Sequence, residues 1–338
     1  SPPPRLQFKE KTIVPRPSNH SELVDVVFSI YWRPGGDHLK EEELLDLAYY
    51  VIVGVNPNHT DIHHHFYFVY DASSSTLEES RKQVAALLRQ EPFYSRLHNK
   101  PNVFIRVLPN DGRDFCNFYR AIIAKDHRPQ AYTLFINTSV RGPIVNVAIM
   151  NALDGRWTEM FLTMFRKAQD MRAVALMWDC VDGIHYYSFA FMLDPQGVEL
   201  ARDHWAESCH IRDLNSNVWV YEIGFSHVIL RAGGRFGVLS DVDYLQDLQS
   251  CSTNRPYWPF HFSQFKDTLY PADQIFFKAA GTSAFMNKRP AHVLKRLQMH
   301  SVFNTEYALR QFPLEGQVEL FNLSFPDPVD WNTNNFVH

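Results

Sequence analysis

The chain has 338 residues, of which 45% are hydrophobic and 21% charged. That is ordinary globular composition and excludes a disordered, collagen-like or coiled-coil protein. The formal charge of −4 speaks against holding nucleic acid by bulk positive charge, and no apolar run reaches the ~18 residues of a membrane span.

Residues 1–22, opening Ser1-Pro2-Pro3-Pro4, read as a Pro-rich stem or linker with no fold of its own. No signal-peptide pattern is present there. Residues 25–32 (DVVFSIYW) read as a buried strand, and 40–53, with acids first and an apolar face after, as a helix. His65–Tyr70 is a second strand, Thr76–Arg89 a helix, Val103–Val107 a third strand, Asp114–Ala124 a helix and Ala131–Ile136 a fourth strand. This alternation predicts an α/β fold with a mostly parallel sheet flanked by helices. In such sheets ligands sit outside the carboxyl ends of the strands. The polar stretches Arg33–His38, Asp71–Ser75, Pro109–Asp114 and Asn137–Pro143 therefore carry the functional interest.

The second half, 151–338, is less regular than 23–150. A helix is expected over Trp157–Lys167, a strand over Ala173–Trp178, and an apolar stretch over Tyr186–Leu193 that ends in a turn at Asp194-Pro195-Gln196-Gly197. Asn217–Arg231 reads as a helix stopped by Gly233-Gly234, with a strand at Phe236–Leu239. From Cys251 onward few regular elements are expected beyond a helix near Ala291–Met299. The 26 Phe and 15 Tyr fit either core packing or an aromatic-lined cleft.

Several groups can carry chemistry. Pro109–Asp114 is a turn at a helix start, where backbone N–H groups can hold a phosphate; it is neither GxGxxG nor a Walker loop. Asn137-Thr138-Ser139-Val140-Arg141-Gly142-Pro143 offers small hydroxyls and a guanidinium to a hydroxylated or phosphorylated ligand, or else is a capped loop with Arg141 paired to an acid. His185 is structural or catalytic. Glu222 lies in an otherwise apolar helix, where a carboxylate is either paired or functional, and burial that raises its pKa suits a general base. His63-His64-His65 looks like a metal tract, but strand alternation sends neighbours to opposite faces. Asp241-Val242-Asp243 can hold a divalent cation against a diphosphate. The absence of GxSxG, HExxH and the kinase signatures removes those enzyme classes. Cys116, Cys180, Cys209 and Cys251 contain no CxxC, and fit two disulfides or four thiols. Sequons at Asn19, Asn58, Asn137 and Asn322, with the Pro-rich start, lean toward a secretory-pathway lumen.

In order and spacing these pieces resemble glycosyltransferases of the GT-A type, in a loose algal, protist, fungal and bacterial group that includes rhamnan-synthesis-like sequences. The residues are Asn110, Gly112 and Asp114; Phe135–Pro143 (FINTSVRGP); Trp157; His185 with Ser188; Tyr221–Gly234 (YEIGFSHVILRAGG); and Tyr270–Lys278 (YPADQIFFK). The resemblance implies a GT-A-like α/β unit. Residues 23–150 would be its nucleotide-sugar-binding half, and 151–338 its acceptor-binding and catalytic half with an irregular C-terminal region. It implies transfer of a hexose or pentose from a UDP- or GDP-linked donor to a hydroxyl of a glycan or glycoprotein, in the Golgi or ER lumen, with inversion and Glu222 as base. His185 joins Glu222 as a catalytic candidate. Asp71, Asn110, Gly112, Asp114, Asn137, Ser139 and Arg141 would bind donor, and Asp179 and Asp182 acceptor. Where this fold commonly places a metal-holding DxD the chain reads Asn137-Thr138-Ser139. Mn²⁺ or Mg²⁺ dependence is thus open: Arg141 or Lys278 could supply the charge, or Asp241 and Asp243 a late metal site. A bridge between Cys180 and Cys209 is one possible pairing. The alternatives are a glycan-binding protein without turnover and a glycoside hydrolase using Glu222 with Asp179 or Asp182.

Overall fold

The computed structural model describes residues 22–33, 39, 41–138, 140–143, 145, 150, 152–176, 178–179, 185–186, 188–211, 213–239 and 275–278. The apolar run after Leu23 forms β1 (Val24–Trp32), followed by α1 (Glu41–Val53), β2 (Ile62–Tyr70), α2 (Leu77–Leu88), α3 (Phe93–Leu97), β3 (Val103–Pro109), α4 (Asp114–Ile122) and β4 (Tyr132–Asn137). The short β5 (Val140–Arg141) leads to α5 (Glu159–Lys167), β6 (Met171–Ala175), β7 (Trp178–Asp179), β8 (His185–Tyr186), β9 (Ala190–Leu193) and α6 (Pro195–Trp205). A composite helix comes next: α7 (Leu214–Asn217), a π-helical segment (Val218–Ile223) and α8 (Gly224–Arg231). β10 (Arg235–Val238) and β11 (Phe277–Lys278) complete the described elements.

Seven strands form one sheet in the order β10-β6-β9-β4-β1-β2-β3. All pairings are parallel except those of β9, which runs antiparallel to both β4 and β6. The fold is thus α/β with a mostly parallel sheet, and strands from both halves of the chain share it. The strands read as continuous apolar runs because both faces are covered. Even-numbered residues of β1 (Val24, Val26, Phe28, Ile30, Trp32) join the core under α1, α2 and α5, while Val27 joins the second core under α4, α6 and α8. That second core centres on Trp205, whose indole lies 4.9–6.2 Å from the rings of Phe115, Phe118, Phe135, Phe191 and Phe225. Aromatic mass therefore goes chiefly into packing, through large buried rings with edge-to-face contacts.

Three sequence readings need correction. The Asp194–Gly197 turn is the start of α6: Asp194 caps it by accepting from Gly197 N at 2.7 Å, with Pro195 in the first helical turn. Asp-Pro serves a helix start as well as a turn, because the first helical N–H needs no partner. Trp178 is not the end of a strand begun at Ala173; it pairs with Tyr186 in a separate two-stranded ladder, and the stretch to Leu193 divides into β8 and β9. Cys209 bonds Cys116, across 93 residues of sequence, rather than Cys180. The stem and the helix near Ala291–Met299 lie outside the described residues. No helix among the described residues is long and apolar enough to cross a membrane.

The α6 cap has a second role. Asp194 also accepts from Arg172 Nη1 at 3.0 Å, with both side chains almost fully enclosed. Asp194→Ala should cost about 3–5 kcal/mol of unfolding free energy, because it strands a buried guanidinium as well as the cap. Urea denaturation checks this; a loss under ~1 kcal/mol, the size of a cap alone, would contradict it.

Candidate active site

The sheet register brings the candidate residues together. Trp32 stands opposite Tyr70, Tyr70 opposite Pro109, and Ser29 opposite Asn137. The residues just beyond, Asp71 and Asn110, leave the sheet side by side, and Asn110 N donates to Tyr70 O at 2.7 Å. From β1 the chain builds outward to β2 and β3, then returns to place β4 on the other edge of β1. That reversal is a topological switch point, where open α/β sheets bind ligands.

A cleft of about 580 Å³ lies there. Ser29, Tyr31 and Val69 form its strand side; Asp71 and Asn110 to Asp114 its rim; Phe115 and Asn117 of α4 and Asn137 its floor. Ser188, Phe189, Asn217, Val218 and Glu222 close it from the second half of the chain. Of the sequence candidates, Asp71, Asn110, Gly112, Asp114, Asn137 and Glu222 share this one cavity.

Each wall residue is held by a local reason. Asp71 accepts from Ser73 N at 2.9 Å and from Ser73 Oγ at 2.7 Å, an Asx turn that fixes the β2 exit. Asp111 is paired with Arg120, which also donates to Pro109 O at 2.6 Å. Gly112 is required by close approach: a Cβ there would stand 2.7 Å from Cys116 Cβ and 2.9 Å from Ser208 O. The Cys116–Cys209 bridge thus backs the rim loop. Asp114 opens α4 and accepts from Asn137 Nδ2 at 3.3 Å. Thr138 Oγ1 donates to Ser29 O at 2.9 Å and accepts from Tyr31 N at 2.8 Å.

Glu222 enters from the π segment. The wider π turn places Val218 and Glu222 on the cleft while Trp219 and Val220 stay exposed, and such segments often occur at functional sites. The carboxylate is half-buried rather than sealed in an apolar helix, and its Oε1 accepts from Ser188 N at 3.0 Å. Its charge, after burial itself, holds the Tyr186 phenol well above the ordinary range.

His185 is buried in the β7–β8 ladder opposite Asp179 and is not part of the cleft wall. Arg141 and Lys278 occupy neighbouring positions of the β5–β11 ladder, where Arg141 faces Phe277 and Val140 faces Lys278 in register. Ser139, Asp182, Asp241 and Asp243 lie outside the described residues. Asn137 and Thr138 spend their side chains on Asp114 and Ser29.

The histidine tract sits at the opposite end of the sheet. Asp25 and Tyr31 on β1 are separated by about 20 Å of extended strand. Alternation holds: His64 meets Tyr50 Oη at 3.1 Å on one face, while His63 and His65 join Asp25 on the other. Ligand atoms of Asp25, His63 and His65 all lie within 4.8 Å of one another. However, Asp25 Oδ1 already accepts from Arg128 Nε at 2.7 Å, and Oδ2 from Arg128 N at 3.0 Å. The Arg128 guanidinium thus ties Asp25 and the group around it into a buried ion network. It continues through His65 Nδ1, 3.3 Å from Asp126 Oδ2, to Arg106 and Tyr67.

Burial alone would raise the Asp25 and Asp126 carboxyls, but His65 with Arg128 or Arg106 holds both below the usual range. Burial works to lower His65, and its bonds to Asp126 and Asp25 more than offset that, so its pKa is raised. Burial, then Arg128, brings His63 down to about 4. A raised histidine contributes stability below its unfolded pKa of about 6.5 and loses it as pH rises through the folded value; the lowered carboxylates lose theirs only in acid. The His65 contribution therefore falls as pH rises above about 6.5. This runs against the opposite trend of His59, His63, His64, His127, His204 and His227, whose pKa values are lowered. The stability advantage of the wild type over Asp126→Asn should accordingly shrink as pH rises through that range. Parallel pH profiles for the two proteins would count against the assignment.

Sequence reasoning missed Ser29, Tyr31, Asn117, Ser188 as a carboxylate anchor, and Asn217. Only the strand-end rule could have pointed to Tyr31; the two asparagines look like ordinary helix residues.

No protein-family model matches the chain, and no curated protein matches it. Solved structures similar to it include mouse xyloside xylosyltransferase 1, at 10% identity over 67% of this chain and 92% of that one with a TM-score of 0.35. They also include the Streptococcus pneumoniae glycosyltransferase GlyE, at 11% identity over 88% and 66% with a TM-score of 0.42. A third is the 4-diphosphocytidyl-2C-methyl-D-erythritol synthase of Anaerococcus prevotii, at 10% identity over 64% and 86% with a TM-score of 0.34.

Proposed function

We propose that the chain is a GT-A-type glycosyltransferase that moves a sugar from a nucleotide-sugar donor to a glycan or glycoprotein hydroxyl with inversion. The observation that carries this reading is the meeting of Glu222 with Asp71, Asn110, Asp114 and Asn137 in one cleft at the switch point. The donor lies along the strand ends, with Asp71, Asn110, Gly112, Asp114, Asn137 and Ser139 around it, and Arg141 as the counter-charge to its diphosphate. Lys278, beside it in the β5–β11 ladder, is a second source of positive charge. Asp179 and Asp182 serve the acceptor side.

In the reaction Glu222 takes the proton of the acceptor hydroxyl. The oxygen then forms a bond to the anomeric carbon as the bond from that carbon to the phosphate oxygen breaks. The electron pair leaves with the nucleoside diphosphate. The Ser188 N–H on Oε1 fixes the carboxylate and leaves Oε2 for the proton, the geometry general-base catalysis needs. The Cys116–Cys209 bridge supports folding in an oxidising compartment such as the secretory-pathway lumen.

Glu222→Gln keeps volume and the Ser188 bond while removing the base. Transfer should drop about 10²- to 10⁴-fold with donor affinity retained, measured by nucleoside diphosphate release and by calorimetry. Near-wild-type turnover would remove Glu222 as the base. Unchanged donor binding with no turnover in the wild type itself would favour the glycan-binding alternative.

A further inference from the structure

Four asparagine side-chain atoms among the described residues are buried without a hydrogen-bond partner: Asn102 Oδ1, Asn110 Oδ1, Asn117 Oδ1 and Asn217 Nδ2. Three of these four residues line the cleft. Asn117 is 3% exposed and Asn217 4%. Thirteen buried side-chain nitrogens and oxygens among the described residues lack a partner, and these three are the ones that line the cleft. Buried polar atoms are nearly always paired, so unpaired ones on a cavity wall call for an explanation. Asn117 sits on α4 with Nδ2 donating to Ser29 Oγ at 3.2 Å, which leaves only its oxygen over. Asn217 ends α7, directly before the π segment that carries Glu222.

The polarity of these atoms selects the ligand. Two are acceptors and one is a donor. A phosphate presents acceptors only and is repelled by the amide oxygens; an ammonium presents donors only and leaves Asn217 Nδ2 unanswered. A hydroxyl both donates and accepts without charge. The nearby carboxylates of Asp71, Asp114 and Glu222 add further acceptors to the same wall. We infer that Asn117 and Asn217, with Asn110, determine specificity by reading the ring hydroxyls of a sugar, with the diphosphate held away from them. The inference rests on the transferase reading for its ligand, which brings two sources of vicinal hydroxyls, the ribose and the transferred hexose.

The test is calorimetric titration of the intact chain. The probes are UDP and GDP, their 2′,3′-dideoxy forms, their glucose and 2-deoxyglucose conjugates, and methyl glucoside. The wild type should lose about 10- to 100-fold in affinity when the hydroxyls being read are removed. Loss with the dideoxy nucleotides identifies the ribose, and loss with the 2-deoxyglucose conjugates identifies the hexose. Asn117→Leu and Asn217→Leu should weaken the hydroxylated probes by a similar factor and erase their advantage over the deoxy forms. Asn117→Asp, which keeps the acceptor, should preserve that advantage. The wild-type comparison needs no variant to fold. Equal affinity for hydroxylated and deoxy nucleotides in the wild type, with both leucine variants unchanged, overturns the inference and leaves the transferase reading standing. Binding of methyl glucoside that is lost in the leucine variants, with no binding of any nucleotide or nucleotide-sugar probe, does the reverse. No binding by any probe overturns both.

Discussion

β1 is hydrogen-bonded on both edges by parallel strands, β2 on one side and β4 on the other, and its register governs where the cleft residues stand. Parallel pairing aligns strand ends, so the residues leaving β1, β2, β3 and β4 emerge in one row. A one-residue slip would turn every side chain of a strand to the other face. The apolar residues of β1 on one face and Val27 on the other, each in its own core, hold the strand against such a slip. Ser29 and Tyr31 share the face of Val27 by alternation, which is the face covered by α4 and the π segment.

The two ends of this sheet are built from different chemistry. At the amino end, Asp25, His65, Asp126, Arg106 and Arg128 pair with one another in a buried chain that locks the charges into structure. At the carboxyl end, carboxylates and amides line an open cavity with valences left over. Satisfied polar networks hold folds together, whereas polar groups left unpaired beside a cavity are what ligands bind. The disulfide, the Asp71 turn and the Glu222–Ser188 bond belong to the support of that cavity: each fixes a wall segment without filling it.

Much of this was legible in the amino-acid order because the strands are covered on both faces and so read as unbroken apolar runs, as in DVVFSIYW. Their exits then follow from the strand-end rule, which is how Asp71, Asn110, Gly112, Asp114 and Asn137 were found. Glu222 stood out as a lone carboxylate among apolar neighbours, although the structure leaves it half-buried on a π segment whose extra residue per turn has no clear sequence signal. What was not legible depends on contacts distant in sequence. The Cys116–Cys209 bridge, the Ser188 anchor and the Asn117–Ser29 bond join residues 34 to 93 positions apart. Asp194-Pro195 failed for a different reason, since the same dipeptide starts turns and helices.

The central claim is that the cleft at the carboxyl ends of β1 to β4 binds a nucleotide-sugar. Hydrogen–deuterium exchange of the intact chain, with and without saturating UDP- or GDP-glucose, tests it most directly. The account predicts protection at the β2 exit around Asp71, across Asn110–Asn117 and across Asn217–Glu222, with no change around His63–His65. Protection confined to the amino end of the sheet, or no protection with either donor, would contradict it.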